Sequence, residues 1–397
     1  MSNGLPRGRA PQKSGEKRRE GTAVPPLSIL LKPASSACNL RCAYCFYADE
    51  AQARAVPDCG LMSREVSHTL IEKAVKATEG SVAFLFQGGE PTLAGLDFYR
   101  DFVSHVRRTA RPGLEIQYAI QTNGLLLDGE WCRFFWENRF LAGLSLDGNR
   151  TCHDRFRLDG AGRGTYDRVV RSARLLEREG VEYNILTVVT SHLARHIKSV
   201  FGALCKGGFR YQQYIPCLDP LEGERGRRDY SLTPTQYGAF LKTLFDLWYR
   251  ELEQGRYWSV RYFDNLVWML EGYPPEQCSM VGRCGVQYMV EADGSVYPCD
   301  FYGLDQFRLG NVLRNTWVEL DRAREELGFI RESRRVPKEC GACRWYPLCR
   351  NGCRRDRLTE TEGLGRTYYC QAYQEFFAYA LPRLQSARPL LRMSTPM

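Results

Sequence analysis

Along residues 27 to 255, short apolar runs alternate with longer stretches in which apolar positions recur every three or four residues. The β-branched and aromatic runs predict strands at 28–32, 82–87, 116–121, 143–146, 183–189 and 211–215. The helical periods between them predict helices at 63–78, 96–110, 129–138, 165–179, 193–206 and 234–254. Such alternation implies parallel strands joined by right-handed crossovers. Six strand–helix units make an α/β fold of the partial (β/α)6 barrel type, left open. In such sheets function gathers on the loops that leave the carboxyl ends of the strands.

From Thr233 to Leu270 the pattern is helical and rich in aromatics. Phe240, Phe245, Trp248, Tyr249 and Trp268 recur at helical spacing and are expected in the core. Tyr273-Pro274-Pro275 breaks the pattern and opens a cysteine-rich stretch. The expected organisation is a basic tail (1–24), a barrel domain (25–255), a linker helix with a small cysteine-rich domain (256–385), and a C-terminal tail (386–397).

The chemistry concentrates in cysteine. Of 16 cysteines, 11 fall in two dense groups, Cys38 to Cys45 and Cys278 to Cys370. With no export signal evident, this grouping argues for metal ligation in a reducing cytoplasm and against a disulfide framework. Cys59, Cys132, Cys152, Cys205 and Cys217 read as small buried hydrophobes or ordinary thiols. The first group, Cys38, Cys42 and Cys45, follows the first strand at C-x3-C-x2-C spacing. Three thiolates on one loop can hold three irons of a cubane cluster and leave the fourth open to a ligand. A zinc site is the alternative, but it needs a fourth ligand, and no histidine lies near this loop.

Other strand ends carry unusual residues. Gln87-Gly88-Gly89-Glu90-Pro91 follows the second strand, where two glycines allow close backbone approach. Gln121-Thr122-Asn123-Gly124 follows the third, and Ser145-Leu146-Asp147-Gly148 the fourth, with Arg155 and Arg157 just beyond. A Ser hydroxyl suits a ribose or carboxylate, and an Arg fork suits a carboxylate. Arg155 is expected on a solvated face, and His153-Asp154 as a surface turn pair. Pro216-Cys217-Leu218-Asp219-Pro220 is a rigid turn after the sixth strand.

The second group comprises Cys278, Cys284 and Cys299, then Cys340, Cys343, Cys349 and Cys353, then Cys370. Eight thiols suffice for two fully ligated sites, either zinc knuckles or cubane clusters. A hairpin with an Asp293-Gly294 turn precedes Tyr297-Pro298-Cys299-Asp300. Asp300, directly after a candidate ligand, is a candidate general base.

The cysteine loop, with Tyr44 before its last Cys, resembles the signature of radical S-adenosylmethionine (radical SAM) enzymes. The second group resembles the SPASM auxiliary-cluster domain. Phe86-Gln87-Gly88-Gly89-Glu90-Pro91-Thr92-Leu93, Tyr183-Asn184-Ile185-Leu186, Thr190-Ser191, Ala194-Arg195-His196, Arg261-Tyr262-Phe263-Asp264, Asp293 to Tyr302 and Gly352-Cys353-Arg354-Arg355 narrow the likeness to anaerobic sulfatase-maturating enzymes over about residues 27–385.

That resemblance implies three [4Fe–4S] clusters. One is on Cys38, Cys42 and Cys45, one on Cys278, Cys284, Cys299 and Cys353, and one on Cys340, Cys343, Cys349 and Cys370. It implies S-adenosyl-L-methionine contacts from Tyr44, Gly89, Ser145, Arg157 and Leu218, proton acceptance by Asp300, and a peptide site lined by Tyr47. The implied reaction converts a Cys or Ser in a C/S-x-P/A-x-R segment of an unfolded sulfatase polypeptide to Cα-formylglycine. An electron donor such as flavodoxin or ferredoxin would serve it.

Charge changes this picture little. The first 24 residues hold six Lys/Arg against two Glu, about four of the net +9. No apolar run reaches the ~20 residues of a membrane helix. A cytoplasmic protein without nucleic-acid or membrane partners is expected. Two alternatives remain from the sequence: a maturase forming thioether or carbon–carbon crosslinks in a small peptide, and a zinc-stabilised regulatory protein.

Overall fold

The computed structural model describes residues 26–360 and 363–394. Its centre is one ten-stranded open sheet. Seven strands run parallel in sequence order: β1 (Leu27–Leu31), β2 (Ser81–Phe86), β3 (Glu115–Thr122), β4 (Phe140–Ser145), β5 (Tyr183–Val189), β6 (Tyr211–Pro216) and the short β7 (Ser259–Val260). The alternation of apolar positions sets the register. In β2, Val82, Phe84 and Phe86 are buried while their neighbours are partly exposed. Phe84 and Phe86 pack with Tyr99, Phe102 and Phe140 in edge-on and stacked contacts beneath the covering helices.

The helices between strands are α1 (Phe46–Gln52), α2 (Arg64–Ala77), α3 (Leu96–Thr109), α4 (Gly129–Glu137), α5 (Arg150–Phe156), α6 (Tyr166–Arg178), α7 (Ser191–Arg195), α8 (Ile197–Lys206), α9 (Pro234–Glu253) and α10 (Arg261–Leu270). Local chemistry fixes their starts. Ser63 caps α2 by accepting from Val66 N at 3.2 Å, and Thr233 with Gln236 forms a capping box ahead of Pro234 in α9.

Three expectations are corrected. The single helix over 193–206 is two, because the chain leaves helical geometry at His196. The barrel sheet does not stop at 255, since Gln212 pairs with Val260. The stretch from 386 is helical: Cys370–Ser394 is one helix that packs along α9, with Leu384, Ala387 and Leu391 buried. Pro382 and Pro389 lie inside it. Proline removes a backbone donor inside a helix, and packing against α9 offsets the lost bonds. The basic tail 1–24 lies outside the described residues.

The cysteine-rich region is continuous with the barrel. Its strand β8 (Tyr288–Val290) pairs in parallel with β1, and β9 (Ser295–Tyr297) and β10 (Gly310–Asn311) extend the same sheet antiparallel. The β8–β9 hairpin turns on Asp293-Gly294, with Gly294 at φ 83°. β9 lies on the far side of β8 from β1, and the Asp293-Gly294 turn stands at the carboxyl end of β1. No described helix is long and apolar enough to cross a membrane.

Candidate functional site

The cysteine loop leaves β1 and is held by backbone bonds on two sides. Arg41 N and Ala43 N donate to Leu158 O and Phe156 O at 2.8 and 3.1 Å. On the other side Gly89 N donates to Ser35 O at 3.0 Å and Glu90 N to Ala37 O at 2.7 Å. A Cβ on Gly89 would stand 2.1 Å from Ala37 O, so the loop after β2 can lie this close only as glycine. The buried Glu90 carboxylate pins the loop, accepting from Thr92 Oγ1, Thr122 Oγ1 and Asn123 N at 2.6–2.7 Å.

Cys38, Cys42 and Cys45 are half-buried and lie within electrostatic reach of one another. Burial pushes the Cys38 thiol up to about 11 and the Cys42 thiol up to about 12. The sulfur of Cys38 accepts from Leu40 N at 3.4 Å. Asn123 Nδ2 donates to Asn39 Oδ1 at 2.7 Å and reaches to 3.9 Å from the same sulfur. Buried thiols with so few protein partners fit a metal cluster, which takes them as thiolates.

Beside these cysteines, Tyr44 donates to Asp147, and Arg157 Nη1 donates to the Tyr44 oxygen at 3.0 Å. Asp147 also accepts from Val188 N at 2.9 Å. Arg157 Nε is buried with no partner. An orphaned guanidinium donor next to Cys42 fits an anionic ligand group of the kind the methionyl carboxylate supplies. Ser145 ends β4 and Leu218 follows β6, both half-buried at the same rim.

His153 is not on the surface. It is fully buried, accepting from Asp147 N at 3.2 Å and facing Thr165 Oγ1 at 3.0 Å. Burial holds it neutral, its pKa well below the usual range. It braces the loop that carries Asp147. Arg155 is solvent-exposed over Phe156, as expected.

Asp300 joins the two halves of the chain. Its Oδ2 accepts from Gln87 Nε2 at 2.8 Å and lies 3.4 Å from Tyr47 OH, while the Cys299 thiol stands 3.4 Å from Oδ1. Burial raises the Asp300 carboxyl above the usual range, against the lowering effect of Cys299 and those hydrogen bonds. Tyr47 is half-buried, with Lys32 Nζ 5.3 Å from its ring centre and its own ring 4.0 Å from that of Phe46. Burial pushes nearby Glu50 up to about 8, with Lys32 pulling the other way.

Several residues here carried no sequence signal of function. Lys32 and Arg54 both donate to Glu291 Oε2, at 2.9 and 2.7 Å, in a buried ion trio spanning β1 and the hairpin. Charged residues at strand ends in an apolar context were the available clue. Gln87 begins the Gln87-Gly88-Gly89-Glu90-Pro91 turn, but its reach to Asp300 depends on the β1–β8 pairing.

The remaining thiols gather in two sets. Cys278, Cys284, Cys299 and Cys353 lie within electrostatic reach of one another. Cys340, Cys343, Cys349 and Cys370 line a separate cavity with Trp345, Tyr346 and Tyr373. Arg355 N donates to Cys353 Sγ at 3.4 Å. Two four-thiol sets, most of their cysteines half-buried, again fit cubane clusters.

The fold and these thiol sets define a radical SAM enzyme with an auxiliary iron–sulfur domain. The radical SAM superfamily model matches residues 33–199, and an iron–sulfur cluster-binding domain model (SPASM) matches 278–344. The enzyme uses S-adenosyl-L-methionine and [4Fe–4S] clusters. The chain is 46% identical over 362 residues to a cysteine-type anaerobic sulfatase-maturating enzyme of Clostridium perfringens, covering 91% of this chain and 98% of that one. It is 31% identical to a serine-type anaerobic sulfatase-maturating enzyme of Bacteroides thetaiotaomicron, over 90% of each chain. A solved structure of native anSMEcpe with bound AdoMet and Cp18Cys peptide superposes with a TM-score of 0.87 at 45% identity, covering 92% of this chain and 100% of that one. The chain belongs to the anaerobic sulfatase-maturating enzymes.

Proposed function

We propose that this enzyme oxidises a cysteine in an unfolded sulfatase polypeptide to Cα-formylglycine, with Asp300 as proton acceptor. The observation that carries the reading is Asp300, held between Gln87 and Tyr47 beside Cys299 at the carboxyl ends of β1 and β2. The higher identity to the cysteine-type relative supports a thiol substrate over a hydroxyl one.

In this reading Cys38, Cys42 and Cys45 hold the cluster that binds S-adenosyl-L-methionine, and the two four-thiol sets hold auxiliary clusters. When bound, these groups supply a hydrogen-abstracting 5′-deoxyadenosyl radical and an acceptor for one electron. Tyr44, Gly89, Ser145, Arg157 and Leu218 bind and orient S-adenosyl-L-methionine at the rim. Arg157 supplies the charge-assisted contact through its unpartnered Nε. Tyr47 lines the peptide cleft and helps aim the Asp300 carboxylate. Asp300 takes the proton from the substrate sulfur as its Cβ loses a hydrogen atom, a transfer that Asp300's raised pKa brings closer to working pH. Water then replaces sulfur in the thioaldehyde, releasing hydrogen sulfide and leaving the aldehyde.

The physiological reductant is proposed to be a flavodoxin or ferredoxin, and the setting the cytoplasm, where a substrate segment is still unfolded and thiols stay reduced. Anaerobic incubation with S-adenosyl-L-methionine, reductant and a Cys-x-Pro-x-Arg peptide tests the assignment by mass. Exchange of sulfur for oxygen with loss of two hydrogens supports it. An unchanged peptide, or a crosslink to a neighbouring side chain, refutes it.

A further inference from the structure

Away from the eleven clustered thiols, one sulfur and two imidazoles converge. Cys152 on α5, His192 on α7 and His196 at the α7–α8 corner each offer a ligand atom, and the three atoms lie within 4.8 Å of one another. Cys152 is buried, His192 half-buried and His196 solvent-facing, so the set is rooted in the protein and open on one side. The two histidines are one helical turn apart, with ring centres 4.4 Å from each other.

Two details point to a ligand and not to chance packing. His192 Nε2 is buried and has no hydrogen-bond partner. A polar atom left so costs free energy that a metal bond would recover. His196 Nδ1 lies 2.8 Å from the His192 backbone oxygen. A carbonyl only accepts, so Nδ1 carries the proton and Nε2 keeps its lone pair. Ligating histidines commonly show this arrangement, in which the second nitrogen's N–H is anchored on a backbone carbonyl.

We propose that Cys152, His192 and His196 form a mononuclear site for a thiophilic divalent ion of the zinc class, distinct from the cluster cysteines. One thiolate with two imidazoles suits zinc and disfavours calcium or magnesium, which take oxygen. Three protein ligands leave the fourth tetrahedral position to water on the His196 side. Bonds of about 2.0–2.3 Å require the donors to close up by about 1 Å, within reach of side-chain rotation.

The flank is cationic. Arg195 and Lys198 are exposed, and Arg155 reaches Asp229 only at 3.9 Å. These charges exclude weakly held ions and leave those with strong sulfur and imidazole bonds. The site ties α5 to the α7–α8 corner. Cys152 precedes His153, which braces Asp147, so a bound ion fixes one end of the network carrying Tyr44 and Arg157.

The test uses anaerobically reconstituted, chelator-washed holoenzyme. It is exposed to zinc chloride, gel-filtered, and read by metal analysis and zinc X-ray absorption. The expected result is one retained zinc per chain at unchanged iron content, with a mixed shell of sulfur at about 2.3 Å and nitrogen at about 2.0 Å. Cys152→Ala and His196→Ala each weaken zinc binding at least about tenfold without loss of iron. His196 is exposed, so its alanine variant keeps the fold, which the thermal melt of the zinc-free protein verifies. No retained zinc, equal retention by His196→Ala, or an all-sulfur shell from zinc in the cluster cysteines overturns the proposal.

Discussion

Gln87 Nε2 donates to Asp300 Oδ2 at 2.8 Å across 213 residues of chain. This bond fastens the cysteine-rich module to the barrel mouth, where β8 pairs with β1 and β1 in turn pairs with β2. The catalytic reading of Asp300 rests on this placement.

Asp300→Asn keeps the side-chain shape but removes the proton acceptor. Formylglycine output should fall at least about 100-fold, the range for general-base loss. Release of 5′-deoxyadenosine should continue. Parallel chromatography of nucleoside and peptide separates the two, and undiminished peptide conversion would remove Asp300 from the reaction.

Glu291→Gln leaves Lys32 and Arg54 buried against a neutral acceptor. Breaking a buried ion group costs about 3–5 kcal/mol, to be read as a lowered unfolding midpoint of the holoenzyme. Burial opposes the charge on Glu291, but Lys32 and Arg54 outweigh it and hold the carboxyl below its usual value of 4.5. The stabilisation is therefore present above pH 4.5 and is lost as pH falls through the lower folded value. The variant's acid limb should be flatter.

Gly89→Ala places a methyl 2.1 Å from Ala37 O. Backbone atoms must move, so the cysteine loop and the loop after β2 part. A cost of about 1–3 kcal/mol is expected, together with weaker S-adenosyl-L-methionine binding by calorimetry. Unchanged binding would show that the close approach is not required.

Asp264 has the opposite sign to Glu291. Burial pushes it from 3.8 up to about 7, while Ser259 and Tyr257 hydrogen bonds pull down. Its contribution is present below pH 3.8 and disappears as pH rises through about 7. Within that window the slope is about 1.4 kcal/mol per pH unit. Asp264→Asn should remove this dependence in urea titrations at stepped pH.

Much of this was visible in the chain. The branched run Tyr183–Val189 is a strand over the predicted residues, because its pattern has no competing helical period. The cysteine spacings marked the metal chemistry, since thiols so grouped have few other uses. Longer-range geometry was not visible. Nothing local to Lys32, Arg54 or Glu291 indicates that all three meet, because that depends on β8 joining β1. His153 looked like a turn residue, but Asp147 N and Thr165 Oγ1 bury it as a brace. The stretch from 386 was expected as a tail, but it continues the last helix because that helix packs against α9.

The most direct measurement uses a Cys-x-Pro-x-Arg peptide deuterated at the cysteine Cβ, incubated anaerobically with reconstituted enzyme, reductant and unlabelled S-adenosyl-L-methionine. Deuterium should appear in 5′-deoxyadenosine as the peptide becomes the aldehyde, and both should vanish in Cys42→Ala. Aldehyde formed with no deuterium in the nucleoside, or undiminished conversion by Cys42→Ala, would contradict the account.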